Sequence, residues 1–308
     1  MELGFPPELA YVALLFGLFV VPRILQRFRI PAAITSLALG ALAGPGLGWF
    51  DHDATVALLS TLGIVSLFLF AGLDVNVVDL RRERRTIIEH LIVGTLALAA
   101  VALFVNVTFQ IQLRPALLVS LALLTPSTGF ILDSLPSLKL PQQTAFWVRT
   151  KAIASELVAL TAMFFTLQSA TAEGLLISSS VMIGMILVLP FLFRGFAHFV
   201  VPYAPKTEFA FLLMIAVACA LVTRQLGVYY LVGAFVVGMV AQQFRSLLPA
   251  IASEKMLDAV EAFASIFVPF YFFHAGLILR SEDFTLGALA FGLGFVAVGL
   301  PFRILLVS

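Results

Sequence analysis

Apolar runs long enough to cross a bilayer recur along this sequence between short polar breaks, and that recurrence limits the fold more than any single motif does. They lie near residues 8–24, 31–48, 55–73, 86–107, 115–135, 146–168, 174–196, 208–226, 228–242, 259–279 and 285–308. A hydrocarbon core about 30 Å thick needs roughly 20 apolar residues in helical form. Backbone exposed to lipid must satisfy its own hydrogen bonds, so these runs are expected to be helices. The reading is an all-α polytopic membrane protein with eleven spans, the ninth of them short. With 61% of its 308 residues hydrophobic and 11% charged, the chain falls outside the composition of water-soluble domains.

The basic residues orient the bundle. With the N-terminus outside, the inner loops hold Arg23, Arg27, Arg29, Arg81, Arg82, Arg84, Arg85, Lys139, Arg149, Lys151, Arg194, Lys206, Arg245 and Lys255, and the outer loops hold only Arg114, Arg224 and Arg280. That asymmetry is the positive-inside pattern, and it supports the odd number of spans. Arg303 is left over, inside the eleventh run. A net charge of +1 argues against a nucleic-acid partner. The single cysteine, Cys219, has no disulfide partner and leaves the redox compartment open. Met1 to Pro7 has no basic region, so no cleavable signal is expected. The sequence stops at GLPFRILLVS while still apolar, which reads as a chain cut within a longer protein.

Within the sixth run the stretch RTKAIASELVALTA carries Glu156. A carboxylate at bilayer depth costs roughly 2.5–3.5 kcal/mol on insertion scales and marks an ion or proton path. The fifth run contains Thr125-Pro126-Ser127-Thr128-Gly129. Proline removes a backbone donor and clashes one turn back. Alone it reads as a kink; with three hydroxyls and a carboxylate on the next run it reads as a broken helix lining an ion site. Pro126 and Glu156 each fall about ten residues from an interface, ~15 Å deep by the helical rise, and can meet at the midplane.

Other polar residues have plainer readings. Asp133 is a helix-end charge, and Lys151 snorkels toward the inner interface. Glu89 and His90 sit at the interface beside the Arg81–Arg85 cluster, a topology anchor. His274 is read as packing ahead of pH sensing. No nucleophile elbow, HExxH or nucleotide-binding loop is present, so the chain is read as a transporter without cofactor rather than an enzyme.

Several segments resemble the membrane domain of the monovalent cation/proton antiporters, including sodium/proton exchangers and potassium-efflux proteins. Arg29-Ile30-Pro31 with Gly40 and Gly44-Pro45 resembles the family's second helix. Leu62-Gly63 through Leu67-Phe68-Leu69-Phe70-Ala71-Gly72-Leu73-Asp74 resembles the third. Gly227 with Leu231-Val232-Gly233-Ala234-Phe235-Val236-Val237-Gly238, and Val268-Pro269-Phe270-Tyr271-Phe272-Phe273 with Gly276-Leu277, resemble later glycine-rich and proline-containing helices. Each pattern is weak by itself; their common order along the chain is specific.

The resemblance implies thirteen helices in two inverted repeats, each with one broken helix, of which eleven would be present here. It implies panel helices 1–3 in residues 1–85, core helices 4–6 with the ion site in 86–168, a linker helix in 169–207, panel helices 8–10 in 208–279, and core helix 11 in 280–308. The implied ion and proton site is Glu156 and Ser155 with Thr125, Ser127 and Thr128, supported by Pro126, Arg303 and Lys151. Arg303 takes the place of the family's intramembrane basic residue. The implied activity is exchange of K+ or Na+ for H+ by a homodimer in a bacterial inner membrane. Ser155-Glu156 departs from the Asp-Asp or Asn-Asp pair of many members: the first acid is lost, which points to electroneutral exchange. A proton or cation channel, and an inactive structural or regulatory module, remain as alternatives.

Overall fold

The structure, a computed structural model, describes residues 7–28, 30–50, 52–73, 75, 84–125, 131, 135–138, 140–168, 172–204, 207–226, 231–244, 254–280, 282 and 285–307. These residues form eleven α-helices: α1 (Pro7–Gln26), α2 (Ala32–Ala41), α3 (Ala54–Leu73), α4 (Arg84–Phe109), α5 (Leu113–Leu124), α6 (Gln142–Gln168), α7 (Ala172–Phe199), α8 (Glu208–Gln225), α9 (Leu231–Gln243), α10 (Glu254–Leu277) and α11 (Leu286–Val307). Six of them, α1, α3, α4, α7, α8 and α10, contain apolar stretches of spanning length. The short ninth run becomes α9, 13 residues long and buried over most of its length. Against protein on nearly all sides, a helix of ~20 Å need not match the bilayer thickness by itself.

Large apolar side chains point outward along the peripheral helices: Val12 and Phe16 on α1, Leu96 and Phe104 on α4, Leu187 and Phe191 on α7 are exposed. In water such surface would drive aggregation; in lipid it is the expected exterior. By contrast α3 is apolar all round and mostly buried, the signature of a central helix.

The chain divides into two compact units, Met1–Leu67 with Asp258–Ala290, and Phe68–Leu257 with Phe291–Ser308. In the first, Leu14 and Leu18 of α1, Ala43, Val56 of α3, and Phe270 and Phe273 of α10 form the core. Asp53 caps α3: its Oδ1 accepts the N–H groups of Thr55 and Val56, both at 2.9 Å, and its Oδ2 accepts the Tyr11 hydroxyl at 2.6 Å. Glycines bring backbones together. A Cβ on Gly40 would lie 3.0 Å from the Gly276 Cα and run into the Phe273 carbonyl, and one on Gly63 would meet the Phe267 carbonyl carbon at 2.6 Å. So α2 and α3 each cross α10 in direct backbone contact, the packing that small residues permit in membranes.

In the second unit the end of α3 crosses α9 in the same way, Gly72 against Gly238. On α9, a Cβ at Gly233 would meet the Cys219 carbonyl carbon of α8 at 2.5 Å. Aromatic rings fix α7 to α8: Phe196 stacks on Phe211 with centroids 3.7 Å apart, and Phe193 meets Phe211 and Phe244 edge-on. Arg194 lies over the Phe244 ring at 5.6 Å. The α4–α5 hairpin turns at Gln110, whose φ of 52° is left-handed, and both arms pack against α6.

Candidate ion-binding site

Helix α6 is 27 residues long, and Glu156 falls close to its middle. Ser155, Glu156 and Lys151 are all half-buried, with Lys151 one turn before Ser155. Helix α6 packs against α4, α5 and α7. From α4, His90 reaches across: its Nε2 lies 3.3 Å from the Ser155 Oγ, at the long end of hydrogen-bond range. The hydroxyl can donate to an unprotonated Nε2 or accept from a protonated one.

His90 stands only five residues beyond Arg85, ~7.5 Å of helical rise from the basic end of α4. The contact puts Ser155, and Glu156 beside it, at the level of His90 along α4. Helix α6 starts at Gln142, with Gln142, Gln143 and Thr144 exposed in its first turn.

Helix α5 stops at Leu124. Thr125 is extended, with φ −79° and ψ 119°, and its N–H closes the last helical bond to the Leu121 carbonyl at 2.9 Å. The following residue, Pro126, gives the cause: a proline ring excludes the helical conformation from the residue before it. A helix ending there presents the negative end of its dipole to whatever lies beyond, which favours a cation. Pro126, Ser127, Thr128 and Asp133 lie outside the described residues. Arg303 belongs to α11, but its side chain also lies outside them. Of the expected site, Ser155, Glu156 and Lys151 lie on α6 and Thr125 at the end of α5; α5 and α6 pack together, and His90 of α4 adds a contact to Ser155. Sequence reading assigned His90 to the interface; the available signal was an ionisable side chain within the apolar run Ile87 to Ala100. Among the described residues no group of three or more His, Cys, Asp or Glu could hold a multivalent metal.

Comparison with known proteins gives a consistent set of likenesses. The family model described as "Sodium/hydrogen exchanger, transmembrane" matches residues 12–308. The chain is 24% identical over 297 residues to the Na+/H+ antiporter NhaS5 of Synechocystis sp., covering 90% of this chain and 40% of that protein. It is 23% identical over 278 residues to the Na+/H+ antiporter of Enterococcus hirae, covering 85% of this chain and 70% of that protein. The solved structure of the sodium proton antiporter MjNhaP1 from Methanocaldococcus jannaschii at pH 8 superposes with a TM-score of 0.68, over 97% of this chain and 77% of that one, at 16% identity. The last likeness establishes the fold.

Proposed function

Because the chain belongs to the transmembrane sodium/hydrogen exchanger family, we propose that it exchanges a monovalent cation, Na+ or K+, for a proton by alternating access, with Glu156 binding each in turn. The observation that carries this reading is the half-buried carboxylate on α6, packed beside a helix that stops at Thr125. Stretches of unwound helix beside an acidic group are how secondary transporters build ion sites.

Coupling follows from the energetics of one carboxylate. Bare and ionised, it is costly to carry through a low-dielectric barrier; neutralised by a proton or paired with a cation, it is not. Only the two occupied forms cross readily, and the result is one-for-one exchange. Ser155, where many members have a second acid, leaves Glu156 as the single carboxylate of the pair, so the cycle is electroneutral. Thr125, Ser127 and Thr128 supply oxygen ligands, and Arg303 is the partner of Glu156 when the cation is absent. The uncharged residue before Glu156 favours K+ as much as Na+; the relatives named above are Na+/H+ antiporters.

In this reading α1–α3 and α8–α10 form a dimerisation panel, α4–α6 and α11 belong to the moving core, and α7 links them. The glycine crossings support it, since α2 on α10, α3 on α10, α3 on α9 and α9 on α8 all lie within the panel set. The protein is a homodimer of a bacterial inner membrane with its N-terminus outside. The test is Glu156→Gln in proteoliposomes: cation-dependent proton movement should vanish while the variant stays folded. Exchange at the wild-type rate would exclude Glu156 as the coupling group.

A further inference from the structure

Six described helix hydroxyls share a local bond that Ser155 does not make. Thr61, Ser66, Thr95, Ser120, Thr166 and Thr223 each donate to a carbonyl three or four residues back in their own helix, the local bond that satisfies a hydroxyl in a bilayer. Ser155 instead meets the imidazole of His90, 65 residues away in sequence and on another helix. A hydroxyl tied to its own backbone has a fixed direction set by α6 alone. One tied to His90 takes its direction from the packing of α4 on α6.

We propose that His90 is a positioning residue for the cation site, holding the Ser155 hydroxyl in the orientation that a cation bound at Glu156 uses. The inference rests on the reading of Glu156 given above. With the proton on Nδ1, the Ser155 O–H donates to Nε2 and both lone pairs of its oxygen stay available to a cation. Loss of His90 lets the hydroxyl fall back to the backbone one turn below, as its counterparts do, and that ligand is withdrawn. Lys151, the ammonium one turn before Ser155, offers a second route by which changes at His90 could reach the site, and the experiment separates the two.

The experiment measures cation KM and maximal exchange rate in proteoliposomes for His90→Gln, His90→Asn, Ser155→Ala, the His90→Asn/Ser155→Ala pair, and Glu156→Gln, with thermal melting of each. Gln is long enough to place its amide oxygen, an acceptor for the Ser155 O–H, close to where the imidazole has Nε2; Asn is one methylene too short. His90→Asn should raise cation KM about tenfold, the loss of one hydrogen-bonded ligand, with the maximal rate within about twofold. His90→Gln should restore most of the affinity. Ser155→Ala should match His90→Asn, and the pair should be no worse than either alone. A wild-type KM for His90→Asn overturns the proposal, as do equal losses in the Asn and Gln variants, or an undiminished effect of His90→Asn in the Ser155→Ala background. If Glu156→Gln still exchanges, the functional reading fails first; if it is inactive while His90→Asn keeps the wild-type KM, only the role of His90 fails.

Discussion

At Gly238 a single methyl group is enough to force two helices apart: its Cβ would lie 2.7 Å from the Leu73 nitrogen and 2.8 Å from the Gly72 Cα. Backbone atoms cannot swing away as a side-chain tip can, so Gly238→Ala should destabilise by about 1–3 kcal/mol, the usual cost of overpacking. Gly94 on α4 provides the control. Nothing stands within 4 Å of its virtual Cβ, and Gly94→Ala should be neutral or stabilising by up to about 1 kcal/mol through helix propensity. Thermal melts in one detergent would compare them; a Gly238→Ala variant that melts with the wild type would mean that α3 and α9 do not cross so closely. The same residue scale holds His90, where an ordinary interfacial histidine in sequence becomes the partner of Ser155 in space.

Among the elements, α3 shows how a start signal and a tertiary tie combine. Asp53 satisfies two N–H groups of the first turn and also accepts the Tyr11 hydroxyl, so one carboxylate caps α3 and holds α1 against its beginning. Asp53→Ala should lower stability by about 1–2 kcal/mol, the value of a lost cap. Tyr11→Phe, which removes only the tie, should cost less, and Asp53→Asn, which keeps an acceptor oxygen, should fall between wild type and Ala. The three melting temperatures check the order, and an Asp53→Ala variant as stable as wild type would remove the cap from the account. Helix α5 shows the opposite signal: Pro126 dictates the extended Thr125, and an end so specified needs no help from packing.

For the whole molecule, the decisive quantity is the charge moved per cycle. Each elementary charge crossing the membrane couples to the potential by about 2.3 kcal/mol per 100 mV, so a cycle that moves net charge must shift its equilibrium with voltage. One carboxylate swapping one proton for one cation moves none. Na+/H+ exchange in proteoliposomes, with valinomycin clamping different potassium potentials while sodium and pH gradients stay fixed, should show no shift in the exchange equilibrium with potential. A marked shift, with K+/H+ exchange by the protein shown to be absent, would require a second titrating group and would overturn the reading of Ser155. The chain covers 40% of its Synechocystis relative.

The helices were legible in sequence because the bilayer permits so few solutions. An apolar run must be a helix, its ends are marked by charge and turn residues, and the observed α-helices follow the eleven runs to within about five residues except at Thr125, before Pro126, and in the second run, where α2 ends at Ala41 and a π-helix over Leu42–Gly46 carries Pro45. The glycines of the second, third, ninth and tenth runs were legible as a pattern, but not their partners. Nothing in a local sequence says that Gly63 faces the Phe267 carbonyl or that Gly233 faces Cys219. In lipid there is no hydrophobic drive to choose neighbours, and the choice falls to close packing, which depends on the whole surface of both helices. Glu156 announced itself by the cost of a charge in an apolar run. Its level along α4, and the His90 contact that sets it, came only from how α4 and α6 are placed side by side.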